Sequence, residues 1–344
     1  MMDLRSIAAT LSTARLSTRW LKALATAAAV ALAACPLWVG GAPAQQAYPA
    51  RTVRFILPFG PASATDITAR LFADRLSARW GKPVVVENRP GGDGLVAISA
   101  FVGAHDDHTL FFGPAGIFTV HPYEHDTLPY DPQRDLVPIV SVSVVVLAIS
   151  TPASMNIDTI DQLVALARAE PGKLNAAAAN GLSDFLLFGF IKSMGLEIAK
   201  VPYRDIMQAP NDLAEERIQV LSTSLAVVRP LMQAGRIKVL AVTSRQRAPG
   251  APDVPMASEV GYPALTFESI GGVFGPRGMA DALRESIAAD FRNIAETDPV
   301  IPARLADTGQ IMAVRGPAEF AASVQEQRDK LAALAKILGL KAAQ

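Results

Sequence analysis

The stretch Val53-Arg54-Phe55-Ile56-Leu57-Pro58, followed through Phe59-Gly60-Pro61-Ala62-Ser63-Ala64-Thr65-Asp66 by Ile67, Leu71, Phe72, Leu76 and Trp80, decides the fold class. Its first six residues are a short apolar run that reads as a buried strand, and the later apolar residues recur at helical spacing. A strand passing directly into a helix is the unit of α/β layering. The alternation continues outward from there. Residues 83–87 (PVVVE) predict a second strand, 95–103 a short helix and 109–113 (TLFFG) a third strand. Residues 139–150 form a long apolar run, and 159–169 a helix capped by Asp158 that ends before Pro171-Gly172. Further strands are expected at 220–222 and 239–243, a Pro-rich connection at 248–255, and helices at 281–296, 301–308 and 317–338. These elements fit two doubly wound α/β lobes, which bind ligands at the carboxyl ends of strands, where helix N-termini present free N–H groups.

Composition narrows the function. Half of the 344 residues are hydrophobic and 32 Lys+Arg balance 32 Asp+Glu, which excludes disorder and argues against a nucleic-acid binder. The neutrality hides an asymmetry. Residues 1–44 hold Arg5, Arg15, Arg19 and Lys22 against Asp3, then a short Ala-rich apolar run, then Ala42-Pro43-Ala44. That is the layout of a secretory signal peptide, and its apolar run is shorter than the ~20 residues a membrane span needs. A chain cut after Ala44 carries a net charge of about −3. The single cysteine, Cys35, falls within Leu32-Ala33-Ala34-Cys35, which has lipobox form and offers lipid anchoring as the alternative to cleavage.

Seven segments occur in a telling order: Tyr48-Pro49-Ala50-Arg51, Pro58-Phe59-Gly60 with Thr65-Asp66, Val86-Glu87-Asn88-Arg89-Pro90-Gly91-Gly92, Leu128-Pro129-Tyr130-Asp131-Pro132, Pro171-Gly172-Lys173-Leu174-Asn175, Val201-Pro202-Tyr203-Arg204 and Leu240-Ala241-Val242-Thr243-Ser244. From about Tyr48 onward this set resembles the Bug-type family, the extracytoplasmic solute receptors of tripartite tricarboxylate transporters. The resemblance implies a type II-like, two-lobed periplasmic-binding-protein fold with its ligand cleft between the lobes. It implies lobe 1 at residues 48–147 and 270–344 and lobe 2 at 148–269, no cofactor, and a membrane permease as partner for a monomeric receptor. The ligand implied is a small carboxylate-bearing metabolite, held largely by backbone N–H groups.

Carried onto this sequence, the resemblance marks Ser63, Ala64, Thr65 and Asp66 after the first strand, Ala115 and Gly116 after the third, and Gly181, Leu182 and Ser183 at a helix start in the second lobe. Tyr203 is placed as a pocket wall, with Asp205 and Thr223 tuning selectivity. Ser63 and Asp66 also fit an ordinary capping box. Several positions depart from the family pattern: Ala62 and Ser63 replace glycines, Pro114 replaces a hydrogen-bonding residue, and Asp184 and Asp205 add acids near an anion site. Two extra acids oppose a second carboxylate, so an amine, an amide or a single carboxylate on an apolar body is expected.

Other chemistries find less in the sequence. His105, His108, His121 and His125 have spacings that invite a metal, but Pro122 and Pro129 are expected to break a shared helix, and they read as surface loop residues. G-x-S-x-G, a Walker loop and G-x-G-x-x-G after a strand are absent, which leaves a hydrolase the weaker reading. A ligand-dependent sensor for a membrane signalling partner uses the same cleft and stays open.

Overall fold

The computed structural model describes residues 48–179, 181–203 and 206–342; the leader with Cys35, and the candidate Asp205, lie outside the described residues. The decisive stretch forms β1 (Val53–Leu57) and α1 (Ala64–Trp80), with Ser63 at the helix N-cap. The chain continues through β2 (Val84–Asn88), α2 (Leu95–Val102), β3 (Thr109–Pro114), α3 (Gly116–Glu124) and β4 (Val137–Val145). Then follow β5 (Leu147–Pro152), α4 (Ile160–Ala169), β6 (Leu174–Ala178), α5 (Leu182–Ser193), β7 (Ile198–Lys200), α6 (Ala209–Ala214), β8 (Val220–Ser224), α7 (Leu225–Gln233) and β9 (Ile237–Val242). Last come β10 (Ser269–Gly275), α8 (Asp281–Thr297), α9 (Val300–Asp307), β11 (Gln310–Arg315) and α10 (Pro317–Leu338).

Two mixed sheets result, ordered β11-β4-β10-β3-β1-β2 and β7-β6-β8-β5-β9. Each is parallel where strands are joined through helices (β1 with β2 and β3; β6 with β7 and β8) and antiparallel elsewhere. The side-chain alternation of a strand sends Val53, Phe55 and Leu57 to one face and Ile56 to the other, so both faces of the first sheet need covering. Helices α1, α8 and α9 supply Phe72, Leu76, Phe291 and Leu305 to one face. Helices α2, α3 and α10 supply Ile98, Phe101, Phe118 and Phe320 to the other. The second sheet is layered in the same way by α4 and α5 on one face and α6 and α7 on the other.

The expected apolar run 139–150 is two strands belonging to different sheets, separated only by Val146, which is fully buried. Its N–H donates to Gly309 O at 3.2 Å and its carbonyl accepts from Leu225 N at 2.8 Å. The chain returns through residues 243–268, where the Thr243 N–H donates to Leu147 O at 3.0 Å and the Phe267 N–H to Thr243 O at 2.8 Å. Helix α10 adds a packed link: it begins against the first sheet through Phe320 and Val324, while Leu331 and Ala335 are buried in the core of the second.

Two local expectations need correction. Thr159, not Asp158, caps α4, its hydroxyl accepting from the Gln162 N–H at 3.2 Å. Pro122 does not break the helix around it but lies inside α3, where its missing N–H leaves one ladder bond unmade. Ala62, one of the two positions where the family has glycine, adopts φ +64°, so the left-handed backbone is kept without the glycine.

Candidate functional site

Strands β1, β3, β6 and β8 all end on one cavity of about 590 Å³. From the first sheet's side it is lined by Pro58 and Phe59, the turn Gly91–Gly94, Pro114, and the α3 residues Gly116, Ile117, His121 and Glu124. From the second it is lined by Leu147, Ala179, Gly181, Leu182, Ser183, Thr223 and Ser224. The cavity therefore lies between the lobes, at the carboxyl ends of strands as doubly wound sheets dictate. Larger cavities of about 780 and 640 Å³ draw their linings from first-lobe segments, around Met279 and around Arg328 respectively, and are not interlobe clefts.

The structure gathers five of the sequence candidates here: Gly116, Gly181, Leu182, Ser183 and Thr223. Gly181 has φ +73° and precedes α5, so the N–H groups of Leu182 and Ser183 fall in the first helical turn, where no intrahelical acceptor exists. The helix dipole adds partial positive charge at that end. Ser183 and Thr223 are nearly fully buried and bring hydroxyls to the same wall.

Other candidates are placed differently. Ser63, Ala64, Thr65 and Asp66 do not line the cavity, whose wall at this loop is Pro58 and Phe59. The Asp66 N–H is taken by Ser63 Oγ at 3.2 Å, so these two act as the helix cap. The Asp66 carboxylate, 2% exposed, accepts from the Ala62 N–H at 2.9 Å, from Arg70 Nε at 3.0 and 3.1 Å and from Asn88 Nδ2 at 2.9 Å. Burial alone raises its pKa, but these donors outweigh it and hold the carboxyl below the usual range. Ala115 spends its N–H on Ile270 O at 2.8 Å. Tyr203 donates to Asp212 at 2.7 Å and packs against the second lobe's core instead of walling the cavity. Asp184 is not a free acid, since Lys200 Nζ pairs with it at 2.6 Å.

Sequence reasoning passed over the turn after β2 and the end of α3. Gly91, Gly92, Asp93 and Gly94 have φ of +125°, +55°, +52° and +100°, a run that glycine supports and Asp93 tolerates. A Cβ on Gly94 would lie 2.6 Å from Ile117 Cγ2, so the turn presses directly onto α3. His121 fixes it there: its Nε2–H donates to Asp93 O at 3.0 Å, and Nδ1 lies 2.6 Å from the Tyr130 hydroxyl. Because the Asp93 carbonyl can only accept, Nδ1 is the bare nitrogen and Tyr130 donates to it. Burial lowers the pKa of His121 and favours this neutral form. Three glycines around one acid were the available signal.

Among the described residues the four histidines do not gather at one metal site, and they are not all surface loop residues as expected: His108 and His121 are buried, His121 within α3, because each is held by hydrogen-bond partners. The group of donors within reach of one another among the described residues is Asp106, Asp107 and His108. His108 Nε2 accepts from the Ala50 N–H at 3.1 Å, and Nδ1 donates to Asp107 at 2.6 Å, so neither nitrogen is left to ligate. Asp106 is likewise engaged by the His108 N–H at 2.7 Å and by Thr109 Oγ1 at 3.0 Å.

A cleft between two α/β lobes with a helix N-terminus opening onto it fits the two-lobed solute-binding class. The chain belongs to the tripartite tricarboxylate transporter receptor family, whose sequence profile matches residues 68–340. It is 32% identical to the protein BugT of Bordetella pertussis over 236 residues, covering 67% of this chain and 72% of that one. It is 30% identical to a UPF0065 protein of Bordetella bronchiseptica over 297 residues, covering 86% and 88%. Among solved structures, R. palustris Rpa4515 with adipate superposes with a TM-score of 0.72 at 28% identity, covering 86% of this chain and 99% of the other. The periplasmic binding protein BugD superposes with a TM-score of 0.69 at 25% identity, with the same coverage. The family and the two-lobed fold are those the sequence resemblance implied. No helix among the described residues is long and apolar enough to cross a membrane.

Proposed function

We propose that the protein is an exported receptor that captures a small carboxylate-bearing metabolite in its interlobe cleft and presents it to a membrane permease of the tripartite tricarboxylate type. The observation that carries this reading is the position of the Leu182 and Ser183 N–H groups on a cavity bounded by both lobes. The related Rpa4515, solved with adipate, supports a carboxylate as the ligand. Lobe 1 comprises residues 48–147 and 270–344 and lobe 2 residues 148–269, with Val146 and the 243–268 return as the hinge. Leu182, Ser183, Thr223 and Gly116 hold the ligand, by binding alone. The receptor works as a monomer in the periplasm, reached through the 1–44 leader, with Cys35 as the site of a lipid anchor if cleavage falls there.

Mass spectrometry of the small molecule that co-purifies from periplasmic extract tests the reading, together with calorimetry against a carboxylate panel. A bound carboxylate supports it. An empty protein with no heat or thermal shift across the panel overturns it.

A further inference from the structure

We propose that Glu124 is the specificity-determining residue of the cleft, and that it selects a carboxylate bearing a cationic nitrogen over a dicarboxylate. This rests on the carboxylate-receptor reading and deepens it. The charge inventory of the cavity is one-sided: Asp93 and Glu124 line it, His121 is neutral, and no lysine or arginine is among its described lining residues. Among the described residues the cation that acts on Glu124 is Lys200, and it is committed to Asp184 at 2.6 Å. A ligand carboxylate seated at the start of α5 is served by the helix end, but a second carboxylate in the same cavity meets two acids and, among the described lining residues, no base. A cationic nitrogen meets the opposite, a carboxylate open to cleft water with protein close around it.

Glu124 is the better placed of the two acids to receive that nitrogen. It ends α3 on the first lobe, yet the Gly181 N–H faces its carboxyl from the second, immediately before the Leu182 and Ser183 N–H groups. The acid and the anion site thus adjoin across the seam, which suits a nitrogen a few bonds from a carboxylate. Among the described residues, the charged and titratable groups around Glu124 are Asp93 on the turn after β2, Asp184 on α5, Lys200 on β7, and His121 and His125 on its own segment. Burial, then Asp93 and Asp184, push its pKa up to about 7, with Lys200 and the Gly181 N–H opposing. An arriving cation relieves this frustration and a second anion deepens it.

Calorimetry with pairs differing only in the amino group, aspartate against succinate and 2-aminobutanoate against butanoate, tests the proposal on the wild-type chain and on Glu124→Gln. The amino member should bind at least tenfold more tightly to the wild type, and the substitution should cut that ratio at least tenfold while leaving or improving succinate binding. On the wild type alone, binding of the amino members should strengthen from pH 5.5 to 8 as Glu124 ionises, and succinate binding should weaken. Equal or better binding of the members without nitrogen overturns the proposal, as does a ratio unmoved by the substitution. Binding of none of the four, while another carboxylate co-purifies, also overturns it and spares the receptor reading; no carboxylate at all removes both.

Discussion

His121 donates through Nε2 to the carbonyl of Asp93 at 3.0 Å, and Asp93 is the one non-glycine in a run of four residues with positive φ. The contact joins α3 to the turn that forms one wall of the cleft, and it works because Tyr130 completes the imidazole on its other side at 2.6 Å. Tyr130→Phe leaves a buried Nδ1 without a donor. Urea unfolding should show a loss of about 1–2 kcal/mol with an unchanged slope.

Ala62 should be improvable. At φ +64° an alanine carries strain that glycine lacks, while glycine gives up some order in the unfolded chain. Ala62→Gly is expected to gain about 0.5–1 kcal/mol in denaturant unfolding, the strain relief of ~1–2 kcal/mol exceeding the entropic loss. A loss of stability would mean that the turn is held without strain.

Gly272 allows no such freedom. A Cβ there would lie 2.4 Å from the backbone oxygen of Val140 and 2.6 Å from Cζ of the fully buried Phe320, and neither backbone nor packed ring can yield cheaply. Gly272→Ala should cost about 3 kcal/mol, read as a lowered melting temperature.

Acid stability should report on Asp66. Its folded pKa is depressed, so its contribution is complete above the unfolded value near ~4 and is lost as pH falls through the lower folded value. Asp66→Asn, expected to cost about 1–3 kcal/mol at neutral pH, should flatten the dependence of stability on pH below about 4. An unaltered slope would place the acid sensitivity elsewhere.

Glu124 has the opposite sign. Its folded pKa of about 7 lies above the unfolded value, so the native state holds more protons between the two and stability falls as pH rises through that window. Without ligand, the melting temperature of Glu124→Gln should fall less from pH 5 to pH 8 than that of the wild type.

Much of the architecture was legible locally. The run 53–57 with its helix, the pair 83–87 and 109–113, and the helix at 317–338 carry strong apolar signals and stand close to where they were expected. Strand β6 (LNAAA) has no β-branched residue, and β10 (SIGGVFG) is broken by glycines, because both are fixed by neighbouring strands rather than by their own propensity. The helix start at Gly181–Ser183 was readable through the resemblance to the family's helix start, not through a cap, since Gly181 offers no side chain to cap α5. Glu124 was not, because its meaning arises from the Gly181 N–H far along the chain, and no spacing rule announces that meeting.

Helix α10 gives the paired lobes a limited range of movement. Two strands of chain alone would let the halves swivel and shear as well as hinge. With Phe320 and Val324 seated in one core and Leu331 and Ala335 in the other, the same rod is gripped at both ends. Any change in the angle between the lobes then has to pass through the middle of α10, around Gln327, whose amide donates to Thr119 of α3 at 3.0 Å. A ligand that changed the angle between the lobes would have to turn them about a helix seated in both cores.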